Sequence, residues 1–384
     1  MTYDVAALRA REFPWAAAGE AIYLNHASTG PLPERALQAT ADFNRLRCAP
    51  HRLTDAIQFE ILARSRELLA TLIGADTREI ALAANTSFGI NLAAFALPFH
   101  AGDVILSSER EFPANVYPWM QLAAKKGVVF RQLPCPDGVL DTELLARELE
   151  DERVAALTVS WVGFVTGARV DLAALGAMCR DRGVYFIVDA IQGLGPLTVD
   201  MRSTHVDIFA CGAQKWLLSP WGSGFVYVRR DLVQQLEPHD VSWMDVKDSD
   251  DFTRLTDYDL TWREDARRFE FITLPFQDFA GMNASIELFH ELGPSVVEQY
   301  VAGLADRIVS WAADRDVELV TPRDQRRRGG IVSVKPANAR AVSDRLRAAG
   351  VSHSFREGAI RLSPHIYNTT AEIDAALELI GRPG

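Results

Sequence analysis

The sequence has few basic residues for its size. Lys and Arg together number 40 against 51 Asp and Glu, which gives a formal net charge of −11 over 384 residues. A chain with this balance is not expected to bind nucleic acid or an anionic membrane surface, although a local basic pocket can still hold a small anion. We therefore expect neither nucleic acid nor a membrane as a partner of this protein.

Cysteine and closely spaced histidine are scarce as well. The four cysteines form no CxxC pair, and the eight histidines are scattered along the chain. This excludes the spacing patterns of zinc sites and of disulfide frameworks. Residues 1–14 carry charges throughout and contain no apolar core of signal-peptide length. We predict a reduced, cytoplasmic protein without a metal.

An apolar run suited to crossing a membrane is also missing. The longest uncharged stretch, residues 80–102, contains Asn85, Ser87, Asn91 and Pro98. Polar residues and a proline at these positions favour a buried strand, a turn and a helix over a membrane span.

Short apolar runs alternate with helical patterns along the first two thirds of the chain. The strand-like runs are 104–107, 155–160, 184–189, 207–210 and 225–228, and one of the helical patterns covers 171–182. Buried strands that alternate with helices are typical of an α/β domain with a mainly parallel sheet. We predict such a large domain over residues 21–265 and a smaller α+β domain over 266–384. We expect an N-terminal segment, 1–20, to pack on the small domain.

Ligands of parallel sheets bind beyond the carboxyl ends of the strands, and two ionisable residues are predicted there. Lys215 follows the strand 207–210 after a turn of small residues, and Asp189 closes the strand 184–189, with Gln192 three residues on. A desolvated lysine amine can form a Schiff base, and an aspartate can keep a pyridine nitrogen protonated. Taken singly, Lys215 is better explained as a snorkelling lysine and Asp189 as a helix cap.

Three further segments also lie at predicted strand ends. The hydroxyls and amides of Asn85-Thr86-Ser87 precede a helix, so they could either cap it or bind phosphate. Phe112, beyond the strand 104–107, is either a core residue or a stacking partner for a flat ring. Arg361, in a short strand of the small domain, either forms a structural ion pair or binds a carboxylate.

Taken together, these features resemble the class V aminotransferase family. This group of fold-type-I enzymes depends on pyridoxal 5′-phosphate (PLP) and includes cysteine desulfurase-like and isopenicillin N epimerase-like proteins. The resemblance runs from Tyr23-Leu-Asn-His-Ala-Ser to Tyr367-Asn-Thr. Its most specific part is the spacing from Asp189-Ala-Ile-Gln192 to Lys215-Trp-Leu-Leu-Ser-Pro-Trp-Gly-Ser-Gly. It implies a fold-type-I α/β fold, PLP as cofactor, an amino-acid substrate and a homodimer.

The resemblance also implies roles for individual residues. Lys215 would form the Schiff base with the cofactor, and Asp189 would pair with its ring nitrogen. The other implied cofactor-binding residues are Thr86, Ser87, Phe112, Gln192, Gln214 and Thr273, the last reaching the phosphate of the neighbouring subunit. The implied substrate-binding residues are Arg361, for the carboxylate, and Asn25, His26 and Trp161.

Several positions depart from the family pattern and leave the reaction type open. Gln214 and Phe112 stand where many relatives have histidine, and Trp161 stands where asparagine is common. We predict an aminotransferase, with an elimination lyase or an epimerase as alternatives. The segment 351–361 before Arg361 contains no cysteine, whereas the resembled desulfurases carry a nucleophilic cysteine on a loop there. We therefore expect that the protein is not a persulfide-forming cysteine desulfurase.

Two rival classes share the predicted fold. A nicotinamide dehydrogenase would need a GxGxxG turn, and the nearest run, 192–197, lacks the third glycine. A binding protein that kept the fold without catalysis would not need Lys215 and Asp189 together. A yellow colour of the purified protein would separate the PLP enzyme from both.

Overall fold

A sheet of seven strands forms the centre of the protein in a computed structural model, which describes residues 3–136 and 138–382. In spatial order the strands are β2 (Ile80–Leu82), β8 (Gly224–Val228), β7 (Ile208–Gly212), β6 (Tyr185–Asp189), β5 (Val154–Ser160), β3 (Val104–Ser108) and β4 (Val129–Leu133). Strands from β7 to β4 pair in parallel, and β8 is antiparallel to both of its neighbours. This confirms the predicted α/β class with a mostly parallel sheet.

Both faces of the sheet are covered by helices. Successive residues of β6 alternate between two apolar clusters, with Phe186 and Val188 in one and Ile187 in the other. A strand buried on both faces reads as a continuous apolar run, which is why the sequence pattern located it. The helices of this part are α1 (Val5–Glu12), α2 (Pro14–Ala17), α3 (Glu34–Arg47), α4 (Asp55–Ile73), α5 (Thr86–Ala96), α6 (Tyr117–Lys126), α7 (Thr142–Glu148), α8 (Leu172–Arg180), α9 (Met201–Thr204), α10 (Arg230–Gln235) and α11 (Phe276–Leu292).

A second, smaller sheet lies in the C-terminal part. Its strands, in spatial order, are β12 (Ser354–Arg356), β13 (Ala359–Leu362), β10 (Val332–Lys335) and β9 (Glu318–Leu319), all antiparallel. The helices α12 (Pro294–Asp314), α13 (Ala339–Ala348) and α14 (Thr370–Gly381) share an apolar cluster with this sheet. The short strand β1 (Ile22–Tyr23) pairs in parallel with β11 (Val351–Ser352), so the chain start joins the C-terminal part.

The contacts of the segment 1–20 and of helix α11 are relevant to the predicted division into domains. In the described part of the segment 1–20, Tyr3 Oη donates to Ile366 O at 2.8 Å and Arg9 Nη1 donates to Glu372 Oε1 at 2.7 Å, both in the C-terminal part. The predicted boundary at residue 265 stays a prediction. Helix α11, which lies beyond it, packs on α3 and α4 and contributes Phe279 and Ile286 to the cluster of the large sheet.

The segment 240–265 consists of turns, bends and irregular backbone, with one bridge between Val246 and Trp262. Arg263, near the end of this segment, connects to its beginning, because its Nε donates to Met244 O at 2.7 Å. Across the described ranges, the structure contains no helix that is long and apolar enough to cross a membrane.

Gly89 allows helix α5 to lie directly on the sheet. A Cβ at this position would meet Ala210 Cβ at 2.6 Å and Val226 Cγ2 at 2.7 Å, and both of these residues belong to the sheet. No substitution by a larger residue fits there without moving the helix away from β7 and β8. The start of α5 is therefore fixed relative to the end of β7.

We expect Gly89→Ala to lower the free energy of unfolding by about 1–3 kcal/mol through overpacking, although alanine favours a helix. Gly303 in α12 is the matched control, because a Cβ there meets nothing within 4 Å. Gly303→Ala should raise stability by about 0.5–1 kcal/mol. Urea unfolding of the two variants measures both, and equal effects would contradict the close packing at Gly89.

Candidate active site

The segments predicted to bind a ligand leave the central sheet at one edge. Strands β3, β5, β6 and β7 are parallel, and their carboxyl ends lead to Phe112, Trp161, Asp189 and Lys215. Strand β2 runs in the same direction, since β8 is antiparallel to both β2 and β7, and it leads to Thr86. The carboxyl edge of a parallel sheet is where such proteins bind ligands.

Lys215 presents a largely desolvated amine at this edge. Its Nζ lies 5.6 Å from the centroid of the Phe112 ring. Burial lowers the pKa of Lys215 to about 8; the carboxylate of Asp189 opposes this shift, and the charges of Arg361 and Arg356 add to it. A lysine with this pKa has a neutral, nucleophilic fraction near physiological pH.

Asp189 is a buried carboxylate at the end of β6. Its side chain is 2% exposed, and Oδ1 accepts a hydrogen bond from Ile191 N at 3.0 Å. It forms no ion pair with any residue in the described ranges. Burial raises the pKa of Asp189 to about 6. A desolvated anion of this kind suits a cationic group such as a protonated pyridine nitrogen.

At the start of helix α5, capping and possible anion binding are divided between different residues. The helix cap is Asn85, whose Oδ1 accepts from Phe88 N at 3.0 Å, and not Thr86 or Ser87. Thr86 is buried, and its Oγ1 accepts from Gly212 N at 2.9 Å, which links the helix start to the turn before Lys215. Ser87 is exposed at the first turn. The amides of this turn and the Ser87 hydroxyl are placed to bind an anion.

Phe112 is held in place by its neighbour Glu111. The Glu111 carboxylate accepts from Ser160 N at 2.8 Å, from Ser108 Oγ at 2.8 Å and from Asn115 Nδ2 at 3.2 Å. These bonds tie the loop between β3 and α6 to the end of β5. Phe112 itself is 43% exposed, so its ring is available for stacking rather than part of the core.

Arg361 is a buried cation surrounded by neutral groups. It is 2% exposed; Nη1 donates to Phe164 O at 2.7 Å, and Nη2 donates to the hydroxyls of Ser28 at 2.8 Å and Ser354 at 3.2 Å. No carboxylate of the described residues pairs with it, and its Nε has no hydrogen-bond partner there. Burial, with a contribution from Arg356, lowers its pKa to about 10. The structural ion pair that the sequence left open is therefore not present in this part of the chain.

Asn25 belongs to the same cluster. Its Oδ1 accepts from Ser28 Oγ at 2.9 Å and from Ser354 Oγ at 2.8 Å. Because Oδ1 of Asn25 accepts hydrogen bonds from both hydroxyls, Nδ2 of Asn25 remains available as a donor beside Arg361. Ser28 and Ser354 were not among the predicted site residues.

Gln192 and Gln214 flank the lysine turn. Gln192 is buried; its Nε2 donates to Ala27 O at 2.9 Å, and its Oε1 accepts from Trp216 Nε1 at 2.8 Å. One N–H of its amide is thus free for a ligand. The Oε1 atom of Gln214 is buried with no hydrogen-bond partner among the residues described.

Three predicted site residues do not join this cluster. Trp161 is 1% exposed, and its ring packs against Gly193 and Phe209 in the core. His26 is fully buried, and its Nδ1 contacts Ser363 O at 2.7 Å. Thr273 is exposed on the single chain and has no side-chain hydrogen bond in the described ranges. The substrate role of Trp161 and His26 has no support in this geometry.

His365, in the C-terminal part of the chain, holds the lysine segment, and the sequence did not indicate this. His365 Nε2 donates to Trp216 O at 2.8 Å, and Ile366 N donates to His365 Nδ1 at 2.8 Å. Burial lowers the pKa of His365 to about 4, so it stays neutral and keeps this donor pattern. From the other side, Gly195 lies so close that a Cβ there would meet Trp216 O at 2.6 Å.

The chain belongs to the class V aminotransferase family, whose model matches residues 22–376. This confirms the predicted family and, with it, pyridoxal 5′-phosphate as the cofactor. The residues fit that cofactor, because Asp189, the start of α5 and the amine of Lys215 offer a carboxylate, an anion site and a nucleophile at one sheet edge.

Relatives of different description match nearly the whole chain. An uncharacterized aminotransferase of Bacillus subtilis is 28% identical over 82% of each chain, and a probable cysteine desulfurase of Pyrococcus abyssi is 27% identical over 94% of each chain. Isopenicillin N epimerase of Streptomyces clavuligerus is 28% identical over 92% of each chain. The apo structure of a cysteine desulfurase from Thermococcus onnurineus has a TM-score of 0.87, with 23% identity over 99% of this chain and 98% of that chain.

These matches contradict one prediction. The expectation that the protein is not a persulfide-forming cysteine desulfurase is wrong as an exclusion, because relatives and structures described as cysteine desulfurases predominate among the matches. The absence of a cysteine from one segment, 351–361, was too narrow a criterion.

The lowered pKa of Lys215 predicts how the cofactor-free protein takes up PLP. Only the neutral amine attacks an aldehyde, so the condensation rate should rise with pH and level off above about 8. At pH 7 about a tenth of this amine is neutral, against fewer than about one in a thousand for an ordinary lysine. Stopped-flow absorbance measures the rate, and a rate that still climbs towards about pH 10 would contradict the desolvated amine.

Loss of the His365 side chain should loosen the lysine segment. His365→Ala leaves the buried Trp216 carbonyl without its donor, which should cost about 1–3 kcal/mol of stability and slow Schiff-base formation. His365→Gln, which can again donate to that carbonyl, should restore part of both. His290→Ala is the control, since His290 contacts Leu68 O at 3.1 Å, away from Lys215. If the two alanine variants condense with PLP at equal rates, His365 has no positioning role.

Proposed function

We propose that the protein is a PLP enzyme that breaks the carbon–sulfur bond of a sulfur-containing α-amino acid, with Lys215 as the Schiff-base residue. The observation that carries this proposal is a pair of buried charges, Asp189 and Arg361, which form no ion pair among the described residues and which both act on a desolvated lysine amine. The relatives described as cysteine desulfurases support the choice of bond.

The two buried charges complement the two parts of the reactants. The Arg361 guanidinium, which has only neutral partners in the described chain, would take the substrate carboxylate together with the amide nitrogen of Asn25. Asp189 would hold the ring nitrogen of the cofactor in its protonated form. Each pairing removes an uncompensated buried charge, and this makes binding favourable.

The remaining residues would orient the cofactor. The first turn of α5, with Thr86 and Ser87, would bind its phosphate, Phe112 would stack on its ring, and the free N–H of Gln192 would reach its ring oxygen. When bound, PLP supplies an electron sink for charge that develops at the substrate Cα. The neutral amine of Lys215 would then remove the Cα proton as a general base.

Amino transfer is the second candidate. It is the reaction that the sequence favoured, and the Bacillus subtilis relative described as an aminotransferase supports it. It needs the same carboxylate arginine, the same lysine base and the same aspartate, so these residues do not separate it from C–S cleavage.

The homodimer stays a proposal. It is supported by exposed aromatic side chains around the segment of Thr273, where Phe271 is 55% exposed, and by Trp221, which is 72% exposed. Large apolar side chains left exposed in one chain are typical of a surface that another chain covers.

Incubation of the holoenzyme with L-cysteine, and separately with amino donors and a keto acid, tests the proposal. We expect sulfide or a protein persulfide from L-cysteine, with alanine or pyruvate as the carbon product. Borohydride reduction before peptide mapping should label Lys215, and Lys215→Ala should lose both the label and the activity.

The carbon product and the site of the sulfur distinguish the outcomes. Alanine with a persulfide on one of the four cysteines indicates a desulfurase, and pyruvate with ammonia indicates a lyase. Amino transfer without sulfur release would replace the first candidate with the second. A reduced label on another lysine, such as Lys125, would remove Lys215 from the mechanism.

A further inference from the structure

A turn at residues 365–368 is held by two side chains from the N-terminal part of the chain. Tyr3 Oη donates to Ile366 O at 2.8 Å, and Arg9 Nη1 donates to Tyr367 O at 2.8 Å. Both acceptors belong to buried residues. A buried carbonyl without a donor is unfavourable, so these two bonds fix the position of the turn.

Arg9 is itself fixed in place. Its Nη1 also donates to Glu372 Oε1 at 2.7 Å, and both side chains are 12% exposed. The buried ring of Phe13 packs against the ring of Tyr367, with 4.4 Å between their centroids. We refer to residues 3–13 as the N-terminal clamp, because they hold the turn by two hydrogen bonds and a buried ring pair.

The same turn reaches the lysine segment through His365. Within the turn, His365 N donates to Asn368 Oδ1 at 2.8 Å and Asn368 N donates to His365 O at 3.0 Å, so its two ends move together. His365 Nε2 donates to Trp216 O at 2.8 Å, one residue after Lys215. A continuous path of contacts therefore connects the N-terminal clamp with the backbone beside the amine.

The environment of the amine shows what a change in this path would alter. Burial is the main cause of the lowered pKa of Lys215. The charged and titratable groups that act on this amine are Asp189 and Cys211, which raise its pKa, and Arg361 and Arg356, which lower it. None of these four belongs to the N-terminal clamp. Loosening the clamp would therefore act on the amine by admitting water.

We propose that Arg9 is a positioning residue for the Schiff-base lysine. Together with Tyr3 it holds the turn, and through His365 the turn keeps the lysine segment where the amine is shielded from water. Arg9 itself contacts neither cofactor nor substrate in this arrangement. The inference rests on the proposed function, because that function assigns the Schiff base to Lys215.

The pH dependence of cofactor attachment tests the inference. The full-length protein is freed of cofactor, PLP is added back, and the condensation rate is followed by stopped-flow absorbance for wild type, Arg9→Gln and Tyr3→Phe. We expect the rate of Arg9→Gln to level off at a higher pH than the wild-type value of about 8. A rise of about half a pKa unit slows condensation at pH 7 about threefold, since the neutral fraction falls by that factor. Tyr3→Phe removes a single hydroxyl and should shift the profile in the same direction by less.

Arg11→Gln is the matched control. Arg11 lies on the same helix, α1, but its guanidinium pairs with Glu12 at 2.9 Å and with Glu291 at 2.7 Å. Its loss removes ion pairs of the N-terminal clamp without removing a donor to the turn. We expect Arg11→Gln to keep the wild-type pH profile, whatever its effect on thermal unfolding.

A double-mutant cycle shows whether Arg9 acts through His365. If it does, Arg9→Gln should shift the pH profile of the wild type and add no further shift to His365→Ala, because the path is already broken there. Shifts that simply add would mean that the two residues act independently, and the proposed path would be wrong.

The outcomes separate this inference from the proposed function. If Arg9→Gln and Tyr3→Phe both keep the wild-type profile, or if Arg11→Gln shifts it as far as Arg9→Gln, the positioning role is overturned and the proposed function stands. If borohydride reduction of the wild-type holoenzyme labels a lysine other than Lys215, the proposed function fails and the inference fails with it.

Discussion

The amine of Lys215 and the carboxylate of Asp189, at one edge of the central sheet, and the guanidinium of Arg361, in the small sheet, are all withdrawn from water. Removing a charge from water costs several kcal/mol, so a fold tolerates it only where hydrogen bonds or a ligand compensate. Here the compensation within the chain is modest: one backbone N–H at Asp189, and a carbonyl and two hydroxyls at Arg361. The site is therefore built to be completed by charged reactants.

Such a site needs rigid support, because an amine that could swing into solvent would regain its ordinary pKa. The support comes from the residue after the lysine. Trp216 is anchored through its ring nitrogen to Gln192 and through its carbonyl to His365, which lies more than a hundred residues further along the chain. Gly30 adds to this, since its N–H donates to Gln214 O at 2.9 Å and a Cβ there would collide with the Lys215 carbonyl. The lysine segment is thus fixed by the N-terminal loop, the large sheet and the C-terminal part of the chain together.

The sequence predicted those parts of the fold that depend on local pattern. Buried strands such as β6 read as apolar runs, and the residues that follow them, Asp189 and Lys215, could be assigned to a common edge. The edge strand β4 was missed, because Arg131 and Gln132 interrupt its apolar pattern. Contacts between distant segments were missed for a different reason: no periodicity connects Ser28 with Arg361, which are 333 residues apart.

Individual side chains were harder to place than the strands that carry them. Trp161 follows β5, so its position beside the site was predictable, but its large apolar ring turns into the core against Gly193. Ser354 offered a signal that could have been used. Glu357 and Gly358 both have positive φ, which is what a two-residue type I′ hairpin turn requires. The register that follows from this turn pairs Ser354 with Arg361 and places Arg356 on the same face.

The division of charges between the two sheets bears on how the reaction is selected. The large sheet leads to Asp189 and Lys215, which the proposed function assigns to the cofactor and the substrate Cα, whereas the small sheet carries Arg361, which it assigns to the substrate carboxylate. The two parts are joined near the site by the bond from Arg361 to the Phe164 carbonyl and by the ion pair between Arg110 and Glu357. A substrate bound through its carboxylate at Arg361 would be oriented by the small sheet, whereas the proposed base, Lys215, lies at the end of the large sheet. Variation in this hairpin can therefore change the reaction while the groups that activate Cα stay in place.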